Sequence, residues 1–131
     1  MLTYDPLHNP QRKSPPTPRP DFAIMENKKV IALLDTKYRD LWETELPREM
    51  LSQLSIYAFS QSRPDLATII YPTLHPEAKE AWLNITHPIS GISLATIKLR
   101  PINLCSLEKA IYEGTVTERK SLSRTIAFGD V

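Results

Sequence analysis

The chain has 131 residues and a formal net charge of +1, enough length for one domain with a core of its own and too little charge to argue for nucleic acid by itself. Its one cysteine, Cys105, excludes an internal disulfide and any iron–sulfur or zinc site built on several thiolates. No apolar run approaches the ~20 residues of a membrane helix, and "MLTYDPLHNPQRK" lacks the apolar segment of a secretory signal. A reducing cytoplasm without membrane attachment is the expected setting.

Six of the 12 prolines fall in the first twenty residues. "NPQRKSPPTPRP" has almost no apolar content to bury, so residues 1–18 are expected to form a disordered, proline-rich arm. Order is expected over residues 19–114. "DFAIM" is a short apolar run, "ENKK" a polar turn, and "VIALLDTKY" a continuous apolar run with β-branched residues at its start. Such a run between turn residues reads as a strand covered on both faces, and the two runs predict an antiparallel hairpin over 21–38.

Proline at the first helical position costs no hydrogen bond, so "PREMLSQLSIYAFSQ" predicts a helix over 47–61. Met50, Leu54, Tyr57 and Ala58 share its apolar face. Arg63-Pro64-Asp65 is expected to break it. "ATIIYP" then predicts a strand over 67–72, stopped by Pro72 and parallel to "VIALLDTKY". "AWLNIT" and "ISLATIKL", joined by "HPISG", predict a second hairpin. "SLEKAIYEG" predicts a short helix capped by Ser106 and ended by Gly114. Residues 115–131 pattern poorly and are expected to be a tail. The fold class expected is α/β, with a mixed sheet and a crossover helix.

The chemistry concentrates on two aspartates and a lysine. Side chains on a strand alternate, so Asp35 and Lys37 point to one side. If a three-residue loop, Asn27 to Lys29, closes the first hairpin, Met25 lies opposite Ile31 and Asp21 opposite Asp35, with Cβ atoms ~5 Å apart. A loop one residue longer separates the acids onto different faces unless a bulge intervenes. Two carboxylates so placed repel unless a proton or a cation lies between them. Mg²⁺ or Mn²⁺ accepts such carboxylates together with water and phosphate oxygens, and the Thr36 backbone carbonyl offers a further ligand. Taken alone, an Asp and a Lys two apart are commonly a solvated strand end.

The segment "RPDF…VIALLDTKY" resembles the active-site half of the PD-(D/E)XK nuclease superfamily. Together with "MLSQLSIYA" and "ATIIYP" it is similar to the C-terminal nuclease domain of the McrC family, the cleavage subunits of the McrBC modified-cytosine restriction systems. The resemblance covers residues 20 to about 73, and extends more loosely to about 113. It implies a restriction-endonuclease-like mixed sheet and a Mg²⁺-dependent DNA endonuclease. Asp21 matches the first acid, Asp35 the second, and Lys37 the lysine. Gln53 and Tyr57 match a Q-x-x-x-Y pattern on the following helix, which implies a positioning role. DNA is the implied substrate, and an McrB-like AAA+ GTPase is the implied partner. The helix that usually precedes the Pro-Asp strand is replaced by the proline-rich arm, so a relative shortened at its N-terminus is expected. That departure supports an alternative, a catalytically idle remnant kept as an interaction or DNA-binding module. A nuclease of the exonuclease-like branch that shares Q-x-x-x-Y is a further alternative. Lys28, Lys29 and Arg39 read as solvated surface charge. His8, His75 and His87 read as structural, Trp42 and Trp82 as packed or half-packed, and Cys105 as a buried thiol. Glu26 and Glu43 are conceivable stand-ins for a further acid, without support from spacing.

Overall fold

A computed structural model describes residues 3–15, 19–59 and 67–129 of the chain. Residues 3–15 form neither helix nor strand, but two local turns order them. Asp5 Oδ1 accepts the Leu7 and His8 amides at 2.8 and 3.1 Å, and Asn9 exchanges two bonds of 2.9 Å with the Lys13 backbone. Residues 16–18 of the expected arm lie outside the described residues.

Strands β1 (Phe22–Glu26) and β2 (Lys29–Thr36) form the first hairpin, and helix α1 (Arg48–Phe59) leads to β3 (Ala67–Thr73). Strands β4 (Ala81–Thr86) and β5 (Ser93–Asn103) form the second hairpin, followed by α2 (Leu104–Tyr112) and α3 (Val116–Phe128). The sheet order is β1-β2-β3-β5-β4. The three central strands run parallel and each edge strand is antiparallel to its neighbour. The expected mixed α/β architecture is therefore present, hairpins and parallel crossover included. The expected breaker at Arg63-Pro64-Asp65 and the last two residues of the predicted helix lie outside the described residues.

The core lies between α1 and the sheet. Leu54, Tyr57 and Ala58 from the helix meet Leu33, Ala67, Ile69, Ala95 and Ile97 from the strands, with Met50 at the margin. Four successive β2 residues, Ala32 to Asp35, are buried, as a strand covered on both faces requires. On the other face α3 touches β2, and Arg100 donates to the Ile126 carbonyl at 2.8 Å. Among the described residues no helix is long and apolar enough to cross a membrane.

The first hairpin closes differently from the three-residue loop expected. Glu26 pairs with Lys29, so the loop has two residues, Asn27 and Lys28, with φ of 50° and 63°. Positive φ at both positions suits the right-handed strand twist, which selects this turn for two-residue hairpins. Met25 then faces Val30, where Ile31 was expected. A bulge between Ile24 and Met25 restores the expected offset, and Phe22 faces Leu34. Lysine in the left-handed region carries strain of about 1 kcal/mol that glycine avoids. Lys28→Gly is therefore expected to raise stability by roughly 0.5 kcal/mol, read as a higher urea midpoint with unchanged slope.

Four further expectations need correction. Pro72 does not stop β3, which runs to Thr73. The Ile70 carbonyl accepts the Lys37 amide, so Ile70's polar groups point towards β2. Pro72, two residues on, points the same way, past the end of the β2 ladder, where its missing N–H leaves no partner unpaired. The cap of α2 is Asn103, whose side chain accepts the Ser106 amide; Ser106 lies one turn inside. The expected tail at 115–131 contains α3, started by a capping box in which Thr115 and Glu118 bond each other's backbone amides. Cys105 is exposed, because it sits in the first turn of α2, a helix with no buried residue.

Candidate metal-dependent active site

The register of the first hairpin decides whether the two acids meet. Continued by one residue from Phe22↔Leu34, it sets Asp21 across from Asp35. Parallel pairing of Asp35 with Ile69 puts Asp35 on the face covered by α1, since Ile69 belongs to that core. Lys37, two residues on, points to the same side. Its amide still bonds the Ile70 carbonyl at 3.0 Å, which keeps the backbone extended there.

Asp35 is 4% exposed. Lys37 Nζ stands 2.5 Å from its Oδ2, a charge contact whose angles do not make a hydrogen bond. That oxygen is the one buried side-chain polar atom without a hydrogen bond among the described residues. An unpartnered buried carboxylate would be unfavourable by about 1–3 kcal/mol or more, and the Lys37 ammonium offsets much of that cost here. The Lys37 ammonium already lies against this oxygen, so a metal ion bound there would compete with the lysine for it.

Asp21 is exposed and fastened to the strand end. Its Oδ2 accepts the Thr36 hydroxyl at 2.6 Å and the Thr36 amide at 2.8 Å. These two bonds, hydroxyl first, hold its carboxyl below the ordinary aspartate value against a slight opposing effect of burial. The Lys37 charge and a hydrogen-bond approach of the Asp35 carboxyl act in the same direction. Within one residue the N–H and C=O leave the same edge of a strand, so the Thr36 carbonyl opens towards Asp21 as well. The two acids, Lys37 and the Thr36 carbonyl thus converge at the end of β2.

Helix α1 closes the site from above. Tyr57 is buried, and burial raises its hydroxyl pKa, with the Asp35 and Asp21 charges adding to the rise and a bond from Gln53 opposing it. Gln53 Nε2 reaches the Tyr57 hydroxyl at 3.5 Å, as expected of residues one helical turn apart. Pro20, Leu33, Leu54, Ala67 and Thr68 complete a small crevice around Asp35 and Tyr57. The residue set Asp21, Asp35, Thr36, Lys37, Gln53 and Tyr57 therefore forms one neighbourhood.

Other residues fall elsewhere. Lys28 and Lys29 lie at the far end of the hairpin, and they and Arg39 are exposed. Trp42 and Trp82 are 44% and 64% exposed, more than the packing roles expected of them. Trp82 stands on edge strand β4, under the Lys98 ammonium at 5.0 Å, and donates to Glu80 at 2.7 Å. His75 is more engaged than expected. Its Nε2 and Nδ1 lie 2.5 and 3.0 Å from Glu43 and Glu77 carboxylate oxygens. The Glu43 bond foremost raises its pKa, burial opposes it, and the Glu77 bond and the two carboxylate charges add to the rise.

No family model matches the chain, and no curated protein or solved structure matches it either.

Proposed function

We propose that the chain is a metal-dependent DNA endonuclease domain of the PD-(D/E)XK type, akin to the cleavage domain of McrC. The observation that carries this reading is the buried Asp35 oxygen without a hydrogen bond, set beside Lys37 and across from Asp21. The donor set is all oxygen: two carboxylates and one backbone carbonyl, which suits Mg²⁺ or Mn²⁺. Such an ion supplies neutralisation of phosphate charge and a bound water of lowered pKa.

The chain's own groups divide the remaining work. Asp35 offers the fixed, desolvated ligand, and Asp21 the exposed ligand on the open side. Thr36 holds Asp21 in place through its hydroxyl and amide. Lys37 brings a positive charge next to the position of the scissile phosphate and orients the attacking water. Gln53 and Tyr57 brace the site from α1, where Tyr57's raised pKa keeps its hydroxyl protonated and able to donate. DNA is the substrate in this reading, and the McrC resemblance brings in an McrB-like AAA+ GTPase as partner.

A second reading keeps the fold without the activity. Asp21's Oδ2 is already satisfied by Thr36, and a ligand so occupied binds an ion less well. Incubation with supercoiled circular DNA and Mg²⁺ or Mn²⁺ separates the two. Nicked or linear product, absent with chelator, is the expected result. Absence of both cutting and calorimetric metal uptake supports the idle module. Degradation restricted to linear DNA supports an end-dependent nuclease.

A further inference from the structure

A second constellation joins the segments that leave β2 and β3. Asp40, Glu43 and His75 each present one ligand atom, and the three atoms lie within 4.8 Å of one another. Neighbouring groups hold Asp40 and His75 in place. Asp40 Oδ2 accepts the Thr73 hydroxyl at 2.8 Å, and Oδ1 accepts the Trp42 amide at 2.9 Å. The Thr73 hydroxyl oxygen in turn accepts the His75 amide at 3.1 Å, so one buried threonine positions both the aspartate and the histidine backbone.

The ring of His75 is placed as a metal-binding imidazole is placed. Its Nδ1 lies 3.0 Å from Glu77 Oε1. A carboxylate on one ring nitrogen takes its proton in a hydrogen bond, fixes the tautomer and makes the other nitrogen a better donor of its lone pair. The other nitrogen, Nε2, then faces Glu43 Oε1 at 2.5 Å. In the metal-free chain a proton bridges this contact, in keeping with the raised pKa of His75, and a bound metal ion would take that proton's place. Asp40 adds a second oxygen beside that pair.

One imidazole nitrogen and two carboxylate oxygens form a donor set for a first-row transition ion; Mg²⁺ and Ca²⁺ prefer oxygen alone. Zinc bonds such ligands at about 2.0–2.2 Å and commonly keeps a fourth position for water. Glu43 is exposed, so its side chain is free to settle onto the ion. We propose that Asp40, Glu43 and His75 form a Zn²⁺ site, with Glu77 as the residue that orients the histidine. The ion would tie the segment after β2 to the segment after β3, at the carboxyl ends of two parallel strands, where open α/β sheets collect their ligands. The proposal does not depend on the nuclease reading.

The test uses the full chain, dialysed against chelator and titrated with ZnCl₂ in a calorimeter, all in an Asp35→Asn background so that the first site does not contribute. One equivalent of Zn²⁺ is expected to bind, and Co²⁺ in its place is expected to give the visible absorption of a low-coordinate nitrogen–oxygen site. His75→Ala is expected to abolish both signals, and the isosteric Glu43→Gln to weaken binding without disturbing the fold. Glu77→Gln, which removes no ligand, is expected to weaken binding about 10–100-fold. Absence of Zn²⁺ uptake, or uptake undiminished by His75→Ala and Glu43→Gln, overturns the site. Unchanged affinity in Glu77→Gln overturns the orienting role.

Discussion

Asp35→Asn is expected to lower metal-dependent nicking of supercoiled DNA by at least about 10³-fold, the loss that removal of several kcal/mol of metal-derived transition-state stabilisation implies. Asparagine keeps the volume of the side chain and removes the charge that holds the ion. The fold is expected to stay within about 1 kcal/mol of wild type, for two opposing reasons. The variant loses the Lys37 contact, but it also replaces a buried negative charge with a neutral amide of the same shape, which is less costly to bury. Lys37 is not left without a counter-charge, because Asp21 remains close enough to feel its field. Calorimetry with Mg²⁺, an ion that prefers the all-oxygen donor set, should show metal uptake lost along with cutting. Lys37→Ala should behave differently: cutting falls while more of the metal affinity survives, since the lysine is not a ligand. Equal cutting by wild type and Asp35→Asn rejects the assignment.

Glu80→Gln is expected to cost about 3 kcal/mol at neutral pH, a large share of the 5–15 kcal/mol that holds a domain of this size. Its partner Arg100 is 5% exposed and lies on central strand β5. Arg100 Nε donates to Glu80 Oε2 at 2.6 Å and Nη1 to the Ile126 carbonyl at 2.8 Å, so the pair joins the segment before β4, the sheet and α3. Breaking a buried pair from one side strands the other charge, which ordinarily costs 3–5 kcal/mol. The lower end applies because the Glu80 side chain is 25% exposed.

The pH dependence carries a definite sign. Burial opposes the Glu80 charge, but bonds from Arg100 and Trp82, with the Arg100 and Lys98 charges, outweigh it and hold the carboxyl below its ordinary value. A carboxyl depressed in the folded state adds stability that is present above its unfolded pKa and lost as pH falls through the folded one. The gap in urea midpoint between wild type and Glu80→Gln should therefore be steady near neutrality and close below pH about 4. A gap that does not narrow at all as pH falls through the carboxylate range would assign the effect to packing and remove the charge argument.

Local pattern carried much of the fold. The unbroken apolar run before Asp35, β-branched at its start and bounded by turn residues, reads as a strand covered on both faces, and Ala32 to Asp35 are all buried. The Leu54, Tyr57 and Ala58 stripe had the period of a helix and faces the core. Helix α3 was missed because none of its residues is buried and its apolar positions form no clean stripe, yet "TVTE" carries the capping-box spacing that marks its start. The loop of the first hairpin was misjudged because Lys28 is an unusual occupant of a positive-φ turn position.

Within the candidate site, strand alternation alone put Asp35 and Lys37 on one side, and helical spacing alone put Gln53 next to Tyr57. Those statements involve neighbours along the chain, whose relative directions follow from backbone geometry. Whether Asp21 meets Asp35 depended on a turn and a bulge that together preserve the pairing offset, and no composition rule foresees a bulge. Three other features depend on distant segments: the joining of His75 to Glu43, of Arg100 to Glu80, and the closing of α1 over Asp35. Each arises from strand order and parallel register, which long-range packing selects from many arrangements that the same local periodicities would allow.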